Sequence, residues 1–216
     1  MMSMLLSRLH YPVRNLGYGH RAGIWFQGCS VHCRGCVSRD TWAFTEESRC
    51  EVDSVLRWLE GIDGPLDGIT ISGGEPTDQP EALRALLEAL TARGPDIDVL
   101  MFSGRSFEEL IDEFPWLLHT LDVVISEPFD RDQADAALAL RGSANQRVHR
   151  LSPLGEQRYP GETFEARYGP QREKISINVD DRSVWMVGIP KAGDMARLRH
   201  LLEARGISIG RSSWLS

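Results

Sequence analysis

Short apolar runs alternate with longer amphipathic stretches from about residue 22 onward. Four runs bounded by polar residues or glycine predict buried strands. These runs are residues 24–26, 69–71, 99–102 and 121–125. Between them, apolar residues at helical spacing predict helices, as in the stretch from Leu83 to Leu90. Alternating strands and helices with short connections favour an α/β fold with a mostly parallel sheet.

The last third of the chain follows a different pattern. Residues 141–170 are rich in arginine, glycine and proline and show no clean period, so we expect an irregular loop over the site or along a sheet edge. Residues 175–179 alternate apolar and polar side chains, and residues 184–187 are apolar after a turn-like stretch, which predicts a hairpin. A final helix is predicted from the spacing of Met195, Leu198 and Leu202.

Three of the four cysteines lie within eight residues, at C-x3-C-x2-C spacing: Cys29, Cys33 and Cys36. Three thiolates can converge on one soft metal centre, but they do not supply the four protein ligands of a closed zinc site or an ordinary electron-transfer cluster. Gly28 and Gly35 suit a loop whose backbone wraps closely around a cluster. The spacing therefore favours a four-iron cluster in which one iron is open to a non-protein ligand.

Two other interpretations of the cysteine loop stay open from the residues alone. A structural zinc site would need Cys50 or His32 as its fourth ligand, although zinc sites usually pair two C-x2-4-C units and the second unit is missing here. The third interpretation, unligated buried cysteines, explains three cysteines in so short a segment poorly.

A Gly-Gly-Glu-Pro sequence, residues 73–76, follows the second predicted strand directly and precedes a helix. A glycine pair after a strand is often only a tight turn, but this one stands at the first strand end after the cysteine loop. Its two glycines expose backbone groups, and Glu75 offers an anionic acceptor for the ammonium group of a ligand.

The cysteine loop, the glycine turn, residues 103–104 and residues 126–127 all follow predicted strands. In parallel sheets, ligands gather at the carboxyl ends of the strands. We therefore expect these four segments on one edge of the sheet, where one site can use them all. Ser103 is a candidate contact for a bound cofactor, although a plain strand-to-helix turn explains it equally well.

Together, the cysteine loop and the glycine turn resemble those of the radical S-adenosylmethionine enzymes. In that superfamily the amine and carboxylate of S-adenosylmethionine bind the open iron, and the glycine turn binds the amine. The resemblance implies reductive cleavage of S-adenosylmethionine to methionine and a 5′-deoxyadenosyl radical. It implies one [4Fe-4S] cluster per chain, bound by Cys29, Cys33 and Cys36. The residues expected to hold S-adenosylmethionine are Gly73, Gly74, Glu75 and Ser103.

Further sequence segments resemble one branch of this superfamily, the activating proteins of anaerobic ribonucleotide reductase and their close relatives. These segments are residues 17–21, 24–29, 33–36, 41–42, 72–76, 102–110 and 141–147. They span roughly residues 15–150, and the Arg-Gly-Ser-Ala-Asn-Gln run that begins at Arg141 is the best pointer to this branch. The resemblance implies a short, incomplete (β/α) barrel, a glycyl-radical protein partner, and a flavodoxin- or ferredoxin-type electron donor.

Two departures from the family bear on the target. Val37 and Ser38 follow the last cysteine of the loop, where these activating proteins often have Cys-x-Asn. The chain also continues past residue 170, beyond the shortest members. The alternatives are a radical enzyme acting on a small molecule, such as a 7-carboxy-7-deazaguanine synthase, and a non-catalytic zinc-stabilised interaction module.

Composition limits the remaining possibilities. A formal net charge of −7 argues against non-specific binding of nucleic acid, which needs a basic surface to neutralise the phosphates. No apolar run approaches the length of a membrane span, and the N-terminus is charged too soon for a signal peptide. Clustered cysteines do not form a secreted disulfide framework, so we expect a cytoplasmic protein. The 216 residues suit one domain, with a core over about 15–150 and an extension over about 171–216.

Overall fold

The computed structural model describes residues 2–92, 94, 96–135, 137–169, 175–179, 184–191 and 193–208. Its strands are β1 Ser3–Val13, β2 Arg21–Phe26, β3 Arg49–Glu51, β4 Gly68–Gly73, β5 Asp98–Phe102, β6 Val123–Ser126, β7 Arg147–Arg150, β8 Ile175–Val179 and β9 Val184–Gly188. Its α-helices are α1 Val52–Glu60, α2 Pro80–Thr91, α3 Phe107–Glu113, α4 Leu117–Thr120, α5 Pro153–Arg158, α6 Phe164–Tyr168 and α7 Asp194–Glu203. No helix in these ranges is long and apolar enough to cross a membrane.

The four central strands, β2, β4, β5 and β6, run parallel to one another. β1 pairs antiparallel with both β2 and β3, and β7 pairs antiparallel with β6. Over the described residues the strand order is β3-β1-β2-β4-β5-β6-β7, so β3 and β7 form two separate edges. The predicted α/β fold with a mostly parallel central sheet is confirmed, and the sheet is open rather than a complete barrel.

Both faces of the central sheet are buried. Successive side chains of a strand point to opposite faces, so each strand contributes to a hydrophobic core on either side of the sheet. One face, which carries Ile71 and Met101, belongs to a core that includes the apolar sides of α1 and α2. The opposite face carries Leu100 and Ile125 and packs with Phe164 of α6. Burial on both sides explains why these strands appear in the sequence as continuous apolar runs.

Residues 141–170 are not an irregular loop, and that prediction is wrong. They contain β7, α5 and α6, and β7 extends the sheet along β6. These elements have four to six residues each, which is too few for a helical or strand period to appear. The sequence pattern also misses β1, because polar residues such as Arg8 and His10 interrupt its apolar positions.

The predicted C-terminal hairpin and helix are confirmed. β8 and β9 pair antiparallel, with Ile175 opposite Gly188, while the predicted turn at residues 180–183 lies outside the described part of the chain. The hairpin packs on the sheet, since Val187 belongs to a small core with Val13 and neighbouring apolar residues. Asn15 Nδ2 also donates a hydrogen bond to the Val187 carbonyl at 2.7 Å.

Candidate iron–sulfur and cofactor site

The carboxyl ends of the four parallel strands lie at the same end of the sheet. The loops that follow these strands form hydrogen bonds with each other there. Glu75 N, after β4, donates to the Gly28 carbonyl, after β2, at 2.9 Å. Glu127 N, after β6, donates to the Arg105 carbonyl, after β5, also at 2.9 Å. The expectation that these loops share one edge is confirmed, because equivalent ends of parallel strands lie side by side.

The cysteine loop is held from behind by residues 39–44. Gly28 N donates to the Thr41 carbonyl at 2.8 Å, and Cys29 N donates to the Trp42 carbonyl at 3.0 Å. Gln27 Nε2 donates to two carbonyls of the same segment, at 2.8 and 3.0 Å. These bonds place the loop at the end of β2 and satisfy backbone groups that the irregular conformation leaves free of a strand partner.

The thiols of Cys29 and Cys36 lie close enough to the Cys33 thiol to affect its ionisation. Burial raises the pKa of the Cys29, Cys33 and Cys36 thiols, and the charges of Cys36 and Cys29 raise the pKa of Cys33 further. Backbone N–H groups act in the opposite direction, and Ser38 N lies 3.4 Å from Cys36 Sγ. Three neighbouring thiols with N–H donors to sulfur form a donor set that fits an iron–sulfur cluster.

A mononuclear zinc site fits this structure poorly. No three His, Cys, Asp or Glu side chains in the described ranges are grouped so that they could hold a single metal ion. Cys50 lies in β3 opposite Met4 and packs against the main hydrophobic core, and His32 stacks on Trp42 at 4.5 Å between ring centroids. A cluster distributes its cysteine ligands over several irons, so it does not need three donors around one ion.

The two glycines of the glycine turn are required by its close approach to the cysteine loop. Gly73 has a φ of +110°, in the region that favours glycine. A Cβ atom on Gly74 would overlap the Gly28 carbonyl oxygen. Gly74 N instead donates to the Phe26 carbonyl at 2.9 Å. The turn therefore lies directly against the backbone that leads into the cysteines.

The Glu75 carboxylate accepts several hydrogen bonds from groups of the protein itself. Glu75 is 1% exposed, and Thr77 donates to Oε1 from both its backbone N, at 3.1 Å, and its hydroxyl, at 2.7 Å. Ser103 Oγ and Gly104 N add further bonds, at 3.0 and 2.7 Å. Burial raises the pKa of Glu75, while these donors lower it. The Glu75 side chain thus links the glycine turn to the loop after β5.

Ser103 has a similar structural role. Its hydroxyl donates to Glu75 and accepts a hydrogen bond from Arg105 N at 3.1 Å. Ser126 is fully buried, and its hydroxyl lies 3.0 Å from His149 Nε2 on β7. The predicted assignment of Gly73, Gly74, Glu75 and Ser103 to the cofactor stays a prediction.

The Arg-Gly-Ser-Ala-Asn-Gln run forms hydrogen bonds that hold the loop after β6 in place. Gln146 Oε1 accepts from Gly142 N at 2.7 Å, and Gln146 Nε2 donates to the Glu127 carbonyl at 3.2 Å. Asn145 Nδ2 donates to the Pro128 carbonyl at 2.8 Å. The loop held in this way carries Phe129, whose backbone N–H lowers the pKa of the Cys33 thiol.

The sequence marks Asn145 and Gln146 as part of the run that points to the family, but it does not predict a role for Phe129 or Asp78. Asp78 accepts hydrogen bonds from Ser30 N at 2.6 Å and from Ser30 Oγ at 2.8 Å. Neither residue belongs to a recognisable motif. Their contacts depend on which loops the sheet order places side by side.

Comparison with known proteins agrees with this geometry. Residues 15–149 match the family described as 4Fe-4S single cluster domain. The anaerobic ribonucleoside-triphosphate reductase-activating protein of Vibrio cholerae is 31% identical over 149 residues, which are 66% of this chain and 96% of that protein. The pyruvate formate-lyase-activating enzyme of Streptococcus mutans is 29% identical over 116 residues, 50% of this chain and 44% of that enzyme.

Among solved structures, QueE from Escherichia coli aligns over 95% of this chain and 92% of that chain, with 14% identity and a TM-score of 0.43. A likeness of this size supports no argument about fold or function.

The fold and the site define a radical S-adenosylmethionine enzyme with a single iron–sulfur cluster. The chain belongs to the 4Fe-4S single cluster domain family, and within it to the activating proteins of glycyl-radical enzymes. Its cofactors are a [4Fe-4S] cluster and S-adenosylmethionine. The matched region ends at residue 149, so α5, α6, the hairpin and α7 lie outside it.

Proposed function

We propose that this enzyme activates a glycyl-radical protein of the anaerobic ribonucleotide reductase type. The observation that carries the proposal is the match to the Vibrio cholerae activating protein, which extends over 96% of that protein. The family match over residues 15–149 includes the three segments that meet at the site, namely the cysteine loop, the glycine turn and the run that begins at Arg141.

We assign the cluster to the thiolates of Cys29, Cys33 and Cys36 and the binding of S-adenosylmethionine to the glycine turn. When bound, the reduced cluster would supply one electron for cleavage of S-adenosylmethionine to methionine and a 5′-deoxyadenosyl radical, the species that would abstract a hydrogen atom from a glycine Cα of the partner. Gly73 and Gly74 keep the turn's backbone against the cysteine loop, and Glu75 and Ser103 hold the turn to the loop after β5. The chain thus binds and orients the cofactor, which performs the difficult chemical step.

The open sheet supports access for a protein partner. We infer that it is the incomplete (β/α) barrel of the activating proteins, and that residues 1–216 form one domain with the hairpin packed on the sheet. A small flavodoxin- or ferredoxin-type protein is the proposed electron donor, because the cluster must be reduced before it can act.

The test begins with protein purified without oxygen. We expect about four irons per chain, loss of the iron in Cys33→Ala, and unchanged iron in the matched control Cys50→Ala. Reduced enzyme with S-adenosylmethionine should release 5′-deoxyadenosine. With a purified anaerobic ribonucleotide reductase it should also produce the doublet of a glycyl radical in the electron paramagnetic resonance (EPR) spectrum.

Three results would contradict the proposal. One tightly bound zinc per chain and no iron would support an interaction module. Loss of iron in Cys50→Ala would show that the ligands are misassigned. Release of 5′-deoxyadenosine with no radical on the reductase would leave the radical chemistry in place but exclude this target.

A further inference from the structure

Asp78 connects the cysteine loop to the loop after β5. Its carboxylate accepts two hydrogen bonds from Ser30, the residue directly after Cys29, with distances of 2.6 Å from Ser30 N and 2.8 Å from Ser30 Oγ. Arg105 Nη2 donates to the same carboxylate at 2.9 Å. An ion pair is therefore anchored one residue from the first assigned cluster ligand.

This ion pair is partly shielded from water. The side chains of Asp78 and Arg105 are 8% and 26% exposed, whereas the Arg84–Glu88 pair on α2 is 57% and 56% exposed. Charges away from solvent act over longer distances, because the effective dielectric constant is lower and salt screens them less. Through its two hydrogen bonds to Ser30, the Asp78 carboxylate is held next to the residue that follows Cys29.

Asp78 and Arg105 carry opposite charges, so their electrostatic effects on a nearby cluster have opposite signs. The Glu75 carboxylate is buried nearby, and the charges of Glu75 and Asp78 both act on the Arg105 guanidinium, whose pKa they raise. Arg105 is the cation that faces them, and its Nη1 also lies 3.8 Å from the half-exposed Glu113. Reduction potentials of iron–sulfur clusters respond to nearby charge, to hydrogen bonds at the sulfurs and to solvent exposure.

We propose that the Asp78–Arg105 pair sets the reduction potential of the cluster, with the carboxylate lowering the potential and the guanidinium raising it. The inference rests on the proposed function, because it requires the cluster on Cys29, Cys33 and Cys36. A negative charge disfavours adding an electron nearby, and a positive charge favours it. Asp78 and Arg105 act through the environment of the cluster and are positioning residues rather than catalytic ones.

The test is a redox titration followed by EPR, without S-adenosylmethionine, on the full-length holoenzyme. Asp78→Asn removes the negative charge, and we expect a shift of the midpoint potential to a higher value. Arg105→Gln removes the positive charge, and we expect a shift to a lower value. The double variant D78N/R105Q has the same net charge as the parent, so its potential should return towards the parental one. The control variants Glu88→Gln and Arg84→Gln should show no shift.

The outcomes separate this inference from the proposed function. A parent protein without a reducible [4Fe-4S] cluster would mean that the proposed function has failed. Shifts of equal sign, or no shift, in Asp78→Asn and Arg105→Gln with parental iron content would overturn the inference alone. Iron loss in Asp78→Asn with an unchanged circular dichroism spectrum would also overturn it, because Asp78 would then be needed to build the loop.

Discussion

The Ser103 hydroxyl donates a hydrogen bond to the Glu75 carboxylate, with Oγ 3.0 Å from Oε1 and 3.1 Å from Oε2. Gly104 N donates to the same carboxylate at 2.7 Å, so one buried carboxylate ties the loop after β4 to the loop after β5. Two residues that the sequence predicts as cofactor contacts are therefore partners of each other.

We expect Glu75→Gln to lower the free energy of unfolding by about 1–3 kcal/mol, because its amide nitrogen would face N–H donors and leave one of them unsatisfied. The affinity for S-adenosylmethionine should fall about tenfold, and iron content should stay parental. Urea denaturation, isothermal titration and iron analysis measure these quantities. Glu81→Gln, at an exposed position of α2, is the control. Unchanged affinity would show that Glu75 does not brace the turn.

Gly74→Ala should separate the glycine turn from the cysteine loop, because the new Cβ would overlap the Gly28 carbonyl oxygen. Because the position of a Cβ is fixed by its own backbone and the oxygen that it meets is a backbone carbonyl, we expect a loss of at least about 2 kcal/mol of stability together with reduced cluster content. Gly161→Ala is the control, because no atom lies within 4 Å of its added Cβ. Parental iron content in Gly74→Ala would mean that the two loops can move apart without harm.

Asp98→Asn should destabilise the end of the sheet opposite the site. The Asp98 carboxylate accepts hydrogen bonds from Arg21 at 2.8 and 2.9 Å and from Arg158 at 2.6 Å, and the side chains of Arg21 and Asp98 are completely buried. Loss of the anion leaves the buried Arg21 guanidinium and the neighbouring Arg158 without their counter-ion, which costs about 3–5 kcal/mol. Glu88→Gln, which breaks the exposed pair with Arg84, should cost no more than about 0.5 kcal/mol. Equal effects of the two substitutions in urea denaturation would contradict this prediction.

Trp185→Ala tests whether the hairpin and the sheet unfold together. The Trp185 ring lies edge-on to His10 at 4.5 Å, and the Arg8 guanidinium lies 4.2 Å from the ring centroid. We expect a single thermal transition, with about 2–4 kcal/mol less stability than the parent. Ile177→Ala, on the same hairpin but 51% exposed, should have little effect. A separate transition at low temperature would show that the hairpin is an independent unit.

Acidification should lower the free energy of unfolding, because two histidines, His10 and His149, take up protons less readily in the folded protein than in the unfolded chain. Burial is the main cause that lowers the pKa of His10 and of His149, and the neighbouring charges of Arg8 and Arg147 lower them further. The native state then binds fewer protons than the unfolded chain, so stability is lost as the pH falls below about 6.5. His149→Gln should reduce this slope by up to about 1.4 kcal/mol per pH unit. An unfolding free energy that is constant between about pH 7 and pH 5 would contradict this prediction.

The sequence predicts what depends on short stretches of chain. The spacing of Cys29, Cys33 and Cys36 indicates the metal chemistry, because ligands of one cluster can lie on a single loop. The apolar runs indicate the four parallel strands, because burial on both faces leaves no polar alternation. The glycine pair at Gly73 and Gly74 marks a loop that passes close to another backbone.

Only the tertiary structure decides which loops touch. The partners of Glu75 and Asp78 are 28 and 48 positions away in sequence, and they meet because the sheet order places the ends of β2, β4 and β5 side by side. Residues 141–170 show the same limit, since β7 and its neighbouring helices are too short to carry a period and form by packing on the sheet. The sequence by itself thus determined the cofactor chemistry and the class of fold. The arrangement of charges around the cluster depends on contacts between distant loops, which no local pattern records.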